Sequence, residues 1–359
     1  MATDPRVFVI AEAGVNHNGS LETARRLVDA AADAGADAVK FQTFQAKHLV
    51  TRAAPKAEYQ KVTTASSESQ FDMLRALELS AGDHETLAAH AKSRKIAFLS
   101  TPFDAASLRF LTKGLGMTTV KVSSGDITNA PFLLDIALEA RDVIVSTGMS
   151  TLADIEAALG VLAFGFTRGR DAQPGRAAFQ AAFASPEGRA ALEDRVTVLH
   201  CTTEYPAPVD EVNLRAMRTI ATAFGVRVGY SDHTRGIHIP VAATALGARV
   251  IEKHFTLDRA LPGPDHKASL EPGELRDMVA AIREVERAMG DGIKRPTPSE
   301  LGNRDVARKS LVAARALAAG EGFDITCKRP GTGVSPFEYW TLKERKAARA
   351  YAPDEAIDG

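Results

Sequence analysis

VRVGYSDH at residues 226–233 and VIEKHF at residues 250–255 share one pattern that decides the fold. Each stretch begins with a β-branched run and ends on polar residues that include a histidine, His233 in the first and His254 in the second. Because β-branched residues favour strands, both histidines are expected where a strand ends. Two neutral imidazoles on neighbouring parallel strands can bind one divalent metal ion and leave coordination positions open. The two stretches therefore predict a metal-assisted enzyme.

The same order of a strand-like run, a polar end and a helical stretch recurs along the chain. Helical spacing is visible where Leu214, Met217 and Ile220 recur every three residues. Eight such units over about 290 residues predict an α/β fold, a parallel (β/α)8 TIM barrel, with an open doubly wound sheet as the alternative. The strand-like runs are Val7–Ala13, Ala38–Phe44, Ile96–Thr101, Thr119–Ser124, Val143–Thr147, Val196–Thr202, Val226–Asp232 and Val250–Thr256.

The composition changes after the last helical stretch, so two domains are expected. Residues 1–290 are assigned to the barrel, and residues 165–195, rich in Gly, Ala and Arg, to an insertion of one or two surface helices. Residues 291–303 contain two prolines and are expected to form a linker. Short runs separated by Gly and Pro predict a small β-rich domain over residues 304–359, too small for a large core of its own.

Composition excludes several classes of function. The 359 residues carry a formal net charge of -1, without the basic bias of nucleic-acid-binding proteins. No apolar run approaches membrane-spanning length, and MATDPRVFVI lacks the charged and apolar regions of a signal peptide. Cys201 and Cys327 are far apart and suggest no disulfide framework. A cytoplasmic protein that binds neither membranes nor nucleic acid is expected.

Polar residues at the predicted strand ends indicate an anionic substrate. Lys40 and Lys121 lie in apolar runs, where a charge is costly unless it faces an anion; pairing with a carboxylate such as Glu12 is the alternative. Hydroxyl groups with nearby backbone N–H groups can bind a phosphate. Glu12 and Asp126 are candidates for binding sugar hydroxyls or moving protons. The strand-end hydroxyls belong to Thr101, Ser124, Ser146 and Ser231.

These residues belong to ten ordered stretches in which the chain resembles the sialic acid synthase, or nonulosonic-acid synthase, family. The resemblance covers nearly the whole chain except residues 165–195. The stretches are IAEAGVNHNGS (10–20), ADAVKFQTF (36–44), FLSTPFD (98–104), KVSSGDITNAP (121–131), STGMS (146–150), LHCTTEYPAP (199–208), GYSDHT (229–234), ALGARVIEKHFTLDRALPGPDH (245–266), ARKSLVA (307–313) and KRPGTGVSP (328–336).

The resemblance implies a TIM barrel followed by an antifreeze-like, or SAF, domain in a domain-swapped homodimer. It also implies a reaction that condenses phosphoenolpyruvate with an N-acylated mannosamine-type sugar and releases phosphate by C–O cleavage. The implied cofactor is Mn²⁺, with Mg²⁺ or Co²⁺ as alternatives. The sugar is implied to be 2,4-diacetamido-2,4,6-trideoxymannose, giving N,N'-diacetyllegionaminate, or N-acetylmannosamine, giving N-acetylneuraminate.

The resemblance also implies roles for individual residues. His233 and His254 match the metal ligands. Asp126 stands where many members have glutamate, and Thr203 where some have asparagine. The catalytic group is implied to be Glu12, Asp126 and Lys121. The residues that match contacts to the phosphoenolpyruvate carboxylate are Lys40, Thr101 and Lys121. Those that match phosphate contacts are Ser124, Ser146, Thr203 and Ser231. Those that match sugar contacts are Glu12, Gln42, Tyr205, Asp265 and, from the small domain, Arg329.

Two other functions fit parts of the sequence. One is a different phosphoenolpyruvate-dependent 3-deoxy-sugar-acid synthase, which is expected to act on phosphorylated aldoses. The other is a non-enzymatic carbohydrate-binding protein that uses the small domain as its module, an interpretation supported only by the region around Arg329. Turnover of a free aminosugar would distinguish a nonulosonic-acid synthase from both of these alternatives.

Overall fold

The computed structural model describes residues 6–57 and 69–358, and the chain divides after Gly290 into two compact units. In the first unit eight parallel strands form one sheet, which confirms the predicted TIM barrel. The strands are β1 (Phe8–Gly14), β2 (Ala38–Thr43), β3 (Ala97–Pro102), β4 (Thr119–Val122), β5 (Asp142–Ser146), β6 (Val196–His200), β7 (Arg227–Asp232) and β8 (Val250–His254). The sheet runs in the order β3-β2-β1-β8-β7-β6-β5-β4, and β3 and β4 also lie against each other.

Helices follow the strands and cover the outside of the barrel. Their starts are set by side chains that accept hydrogen bonds from backbone N–H groups: Ser20 caps α1 (Leu21–Asp33), and Ser80 with Asp83 forms a capping box on α4 (Ala81–Ser93). The helices of this unit are α1 (Leu21–Asp33), α2 (Ala46–Leu49), α3 (Gln70–Ala76), α4 (Ala81–Ser93), α5 (Ala105–Arg109), α6 (Ala130–Glu139), α7 (Leu152–Arg168), α8 (Arg176–Ala184), α9 (Pro186–Arg195), α10 (Arg215–Phe224), α11 (His238–Ala245) and α12 (Pro272–Ala288).

A layer of apolar side chains fills the interior of the barrel and sets which residues point inward above it. Successive side chains of a strand point to opposite faces, so the residue two positions after an interior residue also points inward. The residues at these next inward positions are polar, for example Glu12 after Ile10 and Glu252 after Val250. The interior layer consists of Ile10, Ala38, Leu99, Ile144, Leu199 and Val250.

The segment of residues 165–195 contains two complete helices. Its first four residues continue α7, and α8 and α9 follow. Helix α8 packs against α7 at Gly160, where a Cβ atom would lie 3.1 Å from the Phe179 carbonyl oxygen. A glycine at this position lets the two helices approach closely.

The second unit is small and contains an antiparallel pair of strands, β9 (Ser310–Ala313) and β10 (Ile325–Lys328), with Ile325 opposite Ala313. Its core includes Leu311, Leu317 and Phe323. It also contains α13 (Pro298–Ala307) and α14 (Tyr339–Lys343). The prediction of a linker over residues 291–303 is wrong from Pro298 onward. Thr297 and Glu300 form a capping box, and a proline in the first turn favours a helix start, so α13 begins inside this segment.

Within the described ranges, the chain has no helix that is both long and apolar enough to cross a membrane.

Candidate active site

A cavity of about 370 Å³ opens at the carboxyl ends of the barrel strands. It brings together predicted site residues that are up to about 250 positions apart in the sequence, as expected for a barrel whose strand ends meet at one face. The predicted residues that line it are Glu12, Lys40, Gln42, Thr101, Lys121, Ser124, Ser146, Thr203, Tyr205, Ser231, His233, His254 and Asp265.

Lys40 is the centre of a buried group of charges at one side of this cavity. Its ammonium lies 2.7 Å from Glu12 Oε2 and 3.6 Å from Glu252 Oε2, and it donates a 3.0 Å hydrogen bond to Thr101 Oγ1. Burial would lower the pKa of Lys40, but Glu12 and Glu252 outweigh it and raise that pKa. Lys40 is therefore charged at neutral pH. The structure thus contains the ion pair between Lys40 and Glu12, which the sequence analysis gave as the alternative to anion binding by Lys40.

Lys121 lies on the other side of Glu252. Its ammonium donates a 2.6 Å hydrogen bond to Ser146 Oγ and lies 3.7 Å from Glu252 Oε1. Ser231 Oγ donates a 2.9 Å hydrogen bond to the same carboxylate oxygen. Burial would raise the pKa of Glu252, but Lys121 and Lys40 reverse the effect and lower it. Glu252 therefore holds the two lysines together as a shared anion.

Glu12 differs from Glu252 in its protonation. Burial raises the pKa of Glu12, and Lys40 offsets this effect only in part. When Glu12 is neutral, Lys40 and Lys121 share a single ionised carboxylate, Glu252. Burial lowers the pKa of Lys121, and a bound anion would favour its charged form. Such a group is suited to an anionic substrate, and a carboxyl with a raised pKa is suited to proton transfer near neutral pH.

A second group of polar atoms surrounds Gly148, two residues after Ser146. The Gly148 N–H donates a 3.0 Å hydrogen bond to Ser124 Oγ. A Cβ atom at Gly148 would lie 1.9 Å from Thr203 Oγ1, so a larger residue there would displace the Thr203 side chain. Thr203 Oγ1 is buried without a hydrogen-bond partner among the described residues, although it lies at the cavity. Because buried hydroxyl groups are normally hydrogen-bonded, this one fits a ligand atom.

His233 and His254 lie next to each other, with ring centroids 5.6 Å apart, and border the group around Glu252: His233 Nε2 is 3.5 Å from Ser231 Oγ, which bonds Glu252. His233 Nδ1 donates to the Thr202 carbonyl oxygen, so this nitrogen carries the proton and Nε2 carries the lone pair, with Ser231 Oγ 3.5 Å away. Burial lowers the pKa of His233 to about 4, and burial followed by the proximity of His233 lowers that of His254. Both imidazoles are therefore neutral at pH 7, as metal binding requires.

The surroundings of the two histidines are compatible with a metal ion. His254 Nδ1 is buried and has no hydrogen-bond partner within residues 6–57 and 69–358. It lies 3.8 Å from Asp265 Oδ2, and burial raises the pKa of Asp265 to about 6. The Tyr205 ring lies 4.1 Å from the His233 ring. In the part of the chain that is described, no three His, Cys, Asp or Glu residues are arranged as a ligand set. The pair could thus supply two ligands and leave the other positions to substrate and water.

A buried ion pair lies behind the histidines, on the outer side of the barrel wall. Asp232 and Lys253 are opposite each other on β7 and β8, and each directly precedes one histidine. Their charged groups are 2.5 Å apart and both side chains are inaccessible to solvent. Lys253 also donates to the Thr234 carbonyl, and the Thr234 N–H donates to Asp232 Oδ1. The pair therefore ties both strands to the loop that follows His233.

Two predicted residues do not line the cavity. Asp126 accepts hydrogen bonds from Ser123 Oγ at 2.8 Å and from Asn129 Nδ2 at 3.3 Å, so its carboxylate stabilises the turn after β4. Its predicted catalytic role has no support in this geometry. Arg329 is exposed and follows β10 in the second unit.

Glu252 is a charged residue of the cavity that the sequence analysis missed. In VIEKHF it lies two positions before His254, and both therefore point to the same side of the strand. That spacing would have placed it beside His254.

The fold and the site define a class: barrel enzymes that act on anionic substrates at the carboxyl ends of their strands. Comparisons with known proteins identify a family within this class. The model of the NeuB family matches residues 27–294. The chain is 49% identical to N,N'-diacetyllegionaminic acid synthase of Campylobacter jejuni over 98% of its length and 99% of the relative's. It is 45% identical to the enzyme of the same name from Legionella pneumophila, over 92% of this chain and 87% of the relative's.

Solved structures agree with this assignment. The chain is similar to the crystal structure of N-acetylneuraminic acid (sialic acid) synthetase from Leptospira borgpetersenii in complex with citrate, with a TM-score of 0.67 and 31% identity. The match covers 84% of this chain and 90% of that one. The protein belongs to the NeuB family.

Proposed function

We propose that this protein condenses phosphoenolpyruvate with 2,4-diacetamido-2,4,6-trideoxymannose to form N,N'-diacetyllegionaminate and phosphate. One observation carries the proposal: Lys40 and Lys121 converge with hydroxyl groups in the cavity that also holds two neutral histidines. The 49% identity to a protein named for this product supports the choice of sugar. N-acetylmannosamine, giving N-acetylneuraminate, is the alternative substrate.

In the proposed reaction, C3 of phosphoenolpyruvate attacks the aldehyde carbon of the open-chain sugar and forms the new C–C bond. Water adds at C2, and phosphate leaves with its bridging oxygen as the C–O bond breaks. Lys40, Thr101 and Lys121 hold the carboxylate of phosphoenolpyruvate by charge-assisted hydrogen bonds. Glu12 is placed to exchange a proton with the reacting sugar. The proposed phosphate contacts are Ser124, Ser146, Thr203 and Ser231, and the proposed sugar contacts are Glu12, Gln42, Tyr205 and Asp265.

His233 and His254 are the proposed ligands of a divalent metal ion, most suitably Mn²⁺, with Mg²⁺ or Co²⁺ as alternatives. Mixed imidazole and oxygen ligation favours transition metals over calcium. When bound there, the ion would supply Lewis-acid polarisation of the sugar aldehyde. The hydrogen bond from His233 to Thr202 would orient its ring toward the ion.

The direct test is incubation of the protein with phosphoenolpyruvate, Mn²⁺ and each candidate sugar. We expect stoichiometric release of phosphate and a nine-carbon keto acid, identified by mass spectrometry, with the diacetamido sugar as the better substrate. An absence of product from every 2-acetamido-mannose-type sugar would contradict the proposal. Turnover of phosphorylated aldoses instead would indicate a 3-deoxy-sugar-acid synthase.

We also propose a cytoplasmic homodimer in which the second unit, an antifreeze-like (SAF) domain, completes the partner's site through Arg329. Arg329→Ala is then expected to raise KM for the sugar about tenfold and to leave KM for phosphoenolpyruvate within a factor of two, because a lost charged hydrogen bond costs roughly 1.5–3 kcal/mol. Steady-state kinetics with each substrate varied in turn measures both constants. Equal increases in the two constants would argue against a sugar contact.

A further inference from the structure

One wall of the active-site cavity is apolar, which neither the proposed phosphate contacts nor the proposed metal ligands require. This apolar wall consists of Val15, Met73, Leu74, Leu77 and Phe103. They come from three places in the chain: the loop after β1, helix α3 with its C-terminal cap, and the segment after β3. Together they form a feature that no single stretch of sequence reveals.

The apolar wall is a packed surface rather than a set of mobile side chains. Met73 and Leu77 are only 3% and 7% exposed and belong to one cluster with Val15 and Phe44. Phe103 packs edge-on against Phe44, with ring centroids 6.1 Å apart. The wall is therefore held in place from behind, and its shape does not depend on a ligand.

The positions of the polar groups decide which part of the substrate meets the wall. The proposed anion contacts, Lys40 and Lys121, and the proposed aldehyde site at His233 and His254 account for phosphoenolpyruvate and for C1 of the sugar. In an open-chain hexose C6 is the carbon farthest from C1. The apolar wall lines the same cavity and has no proposed polar contact of its own, so it is the surface left for the C6 end.

We propose that the apolar wall binds the C6 methyl group of a 6-deoxy sugar and discriminates against sugars that carry a C6 hydroxyl. This inference rests on the proposed function and adds its specificity determinant. A methyl group loses no hydrogen bonds when water is removed between it and Met73, Leu74 and Leu77. A hydroxyl group at the same place loses its hydrogen bonds to water and finds only methyl, thioether and aromatic groups.

The experiment compares two sugars that differ only at C6: N-acetylmannosamine and 2-acetamido-2,6-dideoxymannose. The full-length protein is assayed with phosphoenolpyruvate and Mn²⁺, and kcat/KM is measured for each sugar. Apolar pockets discriminate against an added hydroxyl group by at most about a hundredfold. We expect the 6-deoxy sugar to be preferred by roughly 10- to 100-fold, mainly through KM.

Two variants place a polar group in the apolar wall, Leu74→Gln and Met73→Gln. Leu74 is only partly buried and glutamine is a good helix former, so the first variant is expected to fold. Each variant is expected to reduce the preference for the 6-deoxy sugar at least fivefold and to leave KM for phosphoenolpyruvate within a factor of two. Leu49→Gln is the matched control, because Leu49 packs against the same cluster from α2 without lining the cavity.

The outcomes separate this inference from the proposed function. If the wild-type protein converts both sugars equally well, the wall does not discriminate at C6, while the proposed function stands. The same conclusion follows if Leu49→Gln changes the preference as much as Leu74→Gln does. If neither these sugars nor the diacetamido sugar react, the proposed function fails and this inference fails with it.

Discussion

His233→Ala is expected to abolish Mn²⁺ binding at the active site and to lower kcat by at least about a thousandfold. Polarisation of an aldehyde by a metal ion is worth several kcal/mol, and each 1.36 kcal/mol corresponds to a tenfold change in rate. The fold should survive, because the variant removes one hydrogen bond to Thr202, which contributes on the order of 1 kcal/mol. Kinetics, calorimetric titration with Mn²⁺ and thermal unfolding measure the three effects separately.

His200→Ala is the matched control for this prediction. His200 ends the preceding strand and bonds the Val212 carbonyl oxygen at 2.7 Å, but it does not line the active-site cavity. Its loss should affect stability about as much as that of His233, with Mn²⁺ affinity and kcat nearly unchanged. If His233→Ala keeps its activity in metal-free buffer that contains a chelator, the metal role of this residue is wrong.

Much of the barrel and of its polar ring could be predicted because both follow from strand periodicity. Lys40 and Gln42 are two positions apart on one strand, and such residues share a face whatever surrounds them. The same rule would have identified Glu252 from His254. The order of the strands around the barrel then brings these faces together, so residues that are distant in sequence become neighbours.

The features that could not be predicted depend on tertiary contacts. The apolar wall combines side chains after β1, on α3 and after β3, and no periodic pattern joins them. The carboxylate of Asp126 could point into the barrel or stabilise its own turn, and hydrogen bonds to Ser123 and Asn129 decide for the turn. Pro296 and Pro298 are compatible with a linker, but a proline is equally compatible with the first turn of a capped helix.

Lys253→Met is expected to lower the free energy of unfolding by about 3–5 kcal/mol, because it leaves Asp232 as an unpaired charge in a site without solvent. The double variant Asp232→Asn/Lys253→Met should recover most of this loss, since replacing both partners removes the uncompensated charge. Urea unfolding of the wild type and the variants measures the difference. Lys113→Met is the control: its 2.7 Å ion pair with Glu139 has a lysine side chain that is 70% exposed, and its loss should cost less than about 1 kcal/mol.

The same pair is expected to affect the active site, because Asp232 and Lys253 connect β7 and β8 at the positions that precede His233 and His254. In the double variant, the Thr234 carbonyl loses its hydrogen bond from Lys253, and the Thr234 N–H bonds a neutral amide oxygen in place of a carboxylate, even though the fold is retained. Mn²⁺ affinity should therefore fall about tenfold or more, a loss typical for groups that orient metal ligands from behind. Calorimetric titration at a temperature where the variant is fully folded tests this expectation. Unchanged affinity in the double variant would mean that the pair stabilises the barrel wall without positioning the histidines.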